Sequence, residues 1–172
     1  SEVEETLKRL EEVIREAEKT IDDSNREIEE AVRRIKTTIE KSNRDLKDLV
    51  EKLKRLKEID SEEVKRRLDE AAKRHKEILD DLRRKLEELE KRHRDTLKRL
   101  RERLDRIREE IERRGTTEDV RRRVKEIIDK LERKIEESER NLKRIIEDLE
   151  REMRESEERV KEIIRDLERT EK

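Results

Sequence analysis

VKRRLDEAAKRHKEILDDLRRKLEELEKRHRDTLKRLRERLDRIREEI, residues 64–111, decides how the rest of the chain is read. Val64, Leu68, Ala71, Ile78, Leu82, Leu86, Leu89, Leu97, Leu100, Leu104, Ile107 and Ile111 recur in steps of three and four. That spacing puts them on one face of an α-helix. His75 and His93, the two histidines of the chain, fall inside the same stripe. The stretch therefore predicts a long amphipathic helix whose buried face is interrupted twice by an imidazole.

Outward from it, the flanking segments carry the same kind of stripe. The first runs Val3, Leu7, Leu10, Ile14, Ala17, Ile21, then Ser24, and on through Ile28, Val32, Ile35 and Ile39 to Ser42 and Leu56. The third runs from Val120 through Ile135, Ser138, Met153 and Ser156 to Leu167. Two breaks separate the three segments. At Ile59-Asp60-Ser61, either Asp60 or Ser61 is a candidate N-cap, and Asp60 with Glu63 fits a capping box. At Gly115-Thr116-Thr117, the one glycine stands where a left-handed C-cap is expected and a threonine can cap the next helix. Ser1 is a candidate cap for the first. The expected elements are helices over about 2–58, 62–114 and 118–171, each roughly 80 Å long at 1.5 Å per residue. Short connections make neighbouring helices antiparallel. The fold class is all-α: one long up-down-up three-helix bundle over residues 1–172, with nearly straight, coiled-coil-like packing.

The polar interruptions repeat. Ser24-Asn25 returns as Ser42-Asn43, His75 as His93 and Ser138 as Ser156, each after 18 residues. Eighteen residues are five turns at 3.6 per turn, so each returns to the same face of a straight helix. Folding the chain at its two breaks sets Ser24-Asn25 opposite His93 and Thr96, and His93 opposite Ser138. It likewise sets Ser42-Asn43 against His75, and His75 against Ser156. With Asn141, these ten residues form the candidate buried polar network.

Composition supports the helical reading. The chain is 61% charged and 27% hydrophobic, with 52 basic and 53 acidic residues, no aromatic, proline or cysteine, and one glycine. Near-neutral balance removes the repulsion that keeps highly charged chains open, and this composition is that of long helices and coiled coils. The middle segment, 61–114, holds 20 basic against 16 acidic residues; residues 1–58 hold 15 against 17 and residues 116–172 hold 17 against 19. A basic helix between two acidic ones favours antiparallel neighbours over self-pairing of like helices. A net charge of −1 argues against a nucleic-acid partner. Lack of a long apolar run argues against a membrane span and for a soluble protein, cytoplasmic in an expression host. One internal core nearly consumes the apolar residues. Val13, Ala31, Val50, Ala72, Leu79, Ile128, Ile146 and Ile164 remain to widen the stripe or form a modest interface, so monomer and homo-oligomer both stay open.

Histidine is the side chain whose unperturbed pKa, near 6.5, lies in the mildly acidic range. Two readings stand. In one, each neutral ring is satisfied by Ser and Asn groups and the layer only fixes register. In the other, protonation turns a ring acceptor into a donor, buries a charge and breaks the network, so that acid costs stability. A shared metal is not expected: the rings lie about 27 Å apart along one helix, and neither has a second His or a carboxylate at i±4 (Ala71 and Leu79; Leu89 and Leu97). No catalytic, cofactor-binding or metal-binding residue is assigned, and no small-molecule substrate, cofactor or enzymatic activity is expected. Carboxylates read as exposed partners of Lys and Arg, and Met153 as core filler.

With idealised helices, capped short connections and the repeated layers Ser24-Asn25/His93/Ser138 and Ser42-Asn43/His75/Ser156, the chain resembles de novo designed helical bundles carrying buried hydrogen-bond networks. The absence of Phe, Tyr, Trp, Pro and Cys points the same way. The resemblance spans the whole length. Its histidine layers are similar to those of pH-responsive designs, which assemble near neutral pH and come apart or change shape in acid. The resemblance implies a designed structural protein without natural activity or localisation. Some members are oligomers or filaments, and there the isoleucines Ile128, Ile146 and Ile164 are candidate contacts between chains; this chain departs from that pattern by holding complete three-helix networks in one polypeptide. A static scaffold is the other alternative, and a natural spectrin-like adaptor a more distant one.

Overall fold

The computed structural model describes residues 2–56 and 60–170. It contains α1 (Glu2–Arg55), α2 (Ser61–Arg113) and α3 (Glu118–Thr170), and no strand among the described residues. The molecule is a three-helix bundle. The expected Ser1 cap, the Ile59 part of the first break and the last residues of the first and third expected helices lie outside the described residues.

Local chemistry explains the ends. Acidic residues occupy the first turns (Glu2, Glu4 and Glu5; Glu62 and Glu63; Glu118 and Asp119) and basic residues the last, which complements the helix dipole. The Asp60 carbonyl accepts from the amides of Glu63 and Val64, both at 3.1 Å, making Asp60 the residue that opens α2. The capping box is modified: the Glu63 carboxylate accepts from Arg66 and Arg67, each at 3.3 Å. Between α2 and α3, Gly115 adopts φ +60°, and the Thr117 carbonyl accepts from the Arg121 amide at 3.0 Å. Thr117 is thus the cap of α3, while the Thr116 hydroxyl is buried without a hydrogen-bond partner in the protein. A Cβ on Gly115 meets nothing within 4 Å. Gly115→Ala is therefore expected to cost about 1 kcal/mol, the conformational penalty alone, read as a lower guanidinium midpoint with unchanged helicity by circular dichroism.

By contacts the chain divides into two units, each built from a part of all three helices: Ser1–Glu29 with Glu88–Arg144, and Glu30–Glu87 with Ile145–Lys172. In the first, Leu10, Ile14 and Ile21 of α1 pack with Leu97 and Leu104 of α2 and Ile128, Leu131 and Ile135 of α3. Ion pairs fix the chain directions there: Arg92 and Arg103 reach Glu27 and Glu16, and Arg101 and Arg108 reach Glu139 and Glu132. Numbers rise on α2 as they fall on both partners, so α2 is antiparallel to each. In the second unit, Ile35, Ile39, Leu79, Leu82, Leu86, Leu149 and Met153 form one cluster, and Val50, Leu53, Val64, Leu68 and Leu167 another.

The buried stripe is broader than steps of three and four imply. Val50, Leu79 and Ile128 are core residues, 7%, 0% and 1% exposed, whereas Leu49, Ile78 and Ile127 are partly buried against them. This corrects the expectation that Ile128 is an exposed contact. Ile146 and Ile164 are half-buried against the second unit's clusters. The physical reason is that a helix in a globular bundle buries a stripe about 100° wide, which admits two adjacent residues in some turns.

Candidate functional site: two buried histidine layers

Each unit holds one histidine layer. In the first, His93 on α2 is 1% exposed. Its Nδ1 lies 2.6 Å from Ser24 Oγ on α1, and its Nε2 lies 2.8 Å from Ser138 Oγ on α3. Ser138 Oγ donates to Asn25 Oδ1 at 2.7 Å. In the second, His75 is 3% exposed, with Ser42 Oγ 2.6 Å from Nδ1 and Ser156 Oγ 2.8 Å from Nε2. Ser156 Oγ donates to Asn43 Oδ1.

For a neutral ring, these bonds favour one tautomer. A serine hydroxyl has a single proton. Ser138 gives its proton to Asn25, so toward His93 it accepts, and the ring proton is on Nε2. Nδ1 is then the bare nitrogen and Ser24 donates to it. The chain of donors runs Ser24, His93, Ser138, Asn25; its counterpart runs Ser42, His75, Ser156, Asn43. Every nitrogen of both rings has a hydrogen-bond partner, as buried polar groups require.

Two of the ten expected residues stand apart from the layers. Thr96 Oγ1 donates to the Arg92 carbonyl four residues back at 2.9 Å, and Asn141 Oδ1 accepts from Arg144. In both cases the hydrogen-bond partner lies in the residue's own helix. The geometry also offers protonation a course that keeps the layer bonded. A proton on Nδ1 makes it a donor, and the Ser24 or Ser42 hydroxyl can accept while its own proton turns to the carbonyl four residues back. Thr6, Thr20, Thr38 and Thr96 make that bond in this protein. By that course the ring would keep its hydrogen bonds on protonation, and the cost would be that of burying the charge.

Burial pushes both imidazoles below their ordinary 6.5. Carboxylates oppose this: Glu157 at His75, and Glu139 with Glu27 at His93. Each carries an arginine partner. Arg83 holds Glu157 at 2.5 Å, Arg101 holds Glu139 at 2.6 Å, and Arg92 holds Glu27 at 3.3 Å. In sequence these groups read as solvated surface. The signal was available, since Arg83 and Arg101 lie 18 residues apart, as do Glu157 and Glu139. The repeat is imperfect at one place: Asp45 stands at the position of Glu27.

Ser24 donating to a histidine has the sense of a nucleophile activated by a base. His93 is 1% exposed, which leaves no room at the ring for a substrate. Among the described residues no group of three or more His, Cys, Asp or Glu side chains is arranged to hold a metal ion, and no helix is long and apolar enough to cross a membrane.

No protein-family model matches the chain, and no curated protein matches it. Among solved structures, a computationally designed three-helix bundle matches with a TM-score of 0.61 at 14% identity, covering 98% of this chain and 91% of that one. The two share a fold: this chain is a three-helix bundle of the architecture realised in that designed protein.

Proposed function

We propose that this is a designed, non-enzymatic helical scaffold whose two histidine layers make its stability fall in acid. The observation that carries the reading is the ring in each layer, buried and hydrogen-bonded at both nitrogens to serine hydroxyls. Such a ring loses water when the bundle forms and resists a proton more strongly than it does in the unfolded chain. Acid then favours the unfolded state. A static scaffold is the second reading, favoured by the serines' ability to accept from a protonated ring. The proposal includes residues 1–172 as one folding unit.

The test is light-scattering mass and guanidinium unfolding at pH 7.4 and near pH 5. It compares the protein with its His75→Leu/His93→Leu variant. A midpoint that drops in acid only when the histidines are present supports the acid-responsive reading, and equal midpoints leave the static scaffold. A change of mass with pH assigns the response to assembly. One transition, coincident by circular dichroism and scattering, is expected of one folding unit; two transitions would divide it.

A further inference from the structure

The ion pairs beside the layers recur with the layers themselves. Arg101 follows His93 by eight residues and bridges α2 to Glu139, the residue after Ser138. Arg83 follows His75 by eight and bridges α2 to Glu157, the residue after Ser156. Surface pairs of this kind add little to stability. Their placement matters for another reason: each carboxylate is attached to the helix turn whose serine touches the ring, and each is already neutralised by a guanidinium.

We propose that Arg101 and Arg83 set the acidity at which His93 and His75 take up a proton, by occupying the carboxylate that would otherwise neutralise the imidazolium. The proposal rests on the acid-responsive reading only in that the rings titrate. A new charge in the layer needs a counter-ion, because no acidic group lies within the layer's own chain of hydrogen bonds. Glu139 and Glu157 are the α3 carboxylates that act on the rings, and while an arginine holds them their field at the ring is partly cancelled. The other carboxylate acting on His93 is Glu27 on α1, held by Arg92 of α2, and the Lys134–Asp22 pair joins α3 to α1 in the same unit. At His75 the acting carboxylate is Glu157; Asp45 of α1 stands at the repeat position of Glu27, and the Lys36–Glu152 pair joins α1 to α3 in the same unit. Glu137 and Glu155, on the other side of each layer serine, are exposed, so Glu139 and Glu157 are the half-buried α3 carboxylates beside the layers. These two glutamates are therefore positioning residues for the proton, and the arginines govern how far they act.

The experiment is an NMR titration of the histidine ring Cε1–H signals in the full chain, comparing the protein with Arg101→Gln and Glu139→Gln. Arg101→Gln is expected to raise the proton affinity of His93 about twofold to threefold, the size of one charge several ångströms away in a high dielectric. Glu139→Gln is expected to lower it, and His75 is expected to keep its midpoint in both. Arg83→Gln should reproduce the gain at His75 and leave His93 alone. Arg101 is half-exposed, so the substitution leaves the core intact. If acid opens the bundle before a ring titrates, Arg101→Gln should lower the pH of opening. An unmoved His93 in Arg101→Gln, or equal movement of both histidines, overturns the proposal. A guanidinium midpoint indifferent to pH would instead overturn the acid-responsive reading, and the ring titration still decides the arginines' role.

Discussion

Between pH 7.4 and pH 5 the protein is expected to lose up to about 4 kcal/mol of stability through its histidines. Both rings have their folded pKa pushed below 6.5 by burial. The stability they contribute is therefore complete above the unfolded value. It is lost as pH falls through 6.5, and the loss ends at the lowered folded value. Within that window each histidine changes stability by about 1.4 kcal/mol per pH unit, which bounds the loss at pH 5 at about 2 kcal/mol for each ring. Against a total of roughly 5–15 kcal/mol for ordinary domains, that is a visible drop in guanidinium midpoint. The His75→Leu/His93→Leu variant should lose far less over the same interval. Its stranded serines can turn to carbonyls of their own helices, and Asn25 and Asn43, only half-buried, can meet water. An equal loss in the variant would assign the acid response to the 53 carboxylic side chains.

The second large effect comes from breaking one layer in the wrong place. Ser156→Val removes both the acceptor for His75 Nε2–H and the donor to Asn43 Oδ1. Moving the ring proton to Nδ1 merely exchanges a stranded donor for a stranded acceptor. A cost of about 1–3 kcal/mol is expected at pH 7.4 for the polar group left buried without a partner. Adding His75→Leu and Ser42→Ala to the same chain should recover most of it, because an apolar layer has nothing left to satisfy. Midpoints of the single and triple variants check this. A triple variant as weak as Ser156→Val would mean that poor packing, and not the stranded ring, causes the loss.

Much of the fold was legible because its signals are local. Gly115 and the Asp60-Ser61 step mark the two connections, and the apolar spacing between them leaves helix as the only regular structure that buries one face. Counting residues from the connections also sets the height at which Ser24, His93 and Ser138 meet, since rise per residue is constant in a helix. Height is not direction, however. Thr96 and Asn141 sit near the right level but have partners in their own helices, and counting does not register that competition. Choosing Ile127 over Ile128 failed for a related reason: steps of three and four select one residue per turn where the packed face accommodates two. The Arg101–Glu139 and Arg83–Glu157 pairs were hidden by abundance, being four charged residues among more than a hundred.

Each Nε2–H is enclosed between helices and spends its proton on a serine. Deuterium from solvent can replace that proton only when the surrounding helices separate, so its exchange rate measures the free energy of that separation. His93 belongs to one unit and His75 to the other. The chain thus carries two native isotope clocks, one for each half, and the ratio of their rates tells whether the halves open together or one before the other.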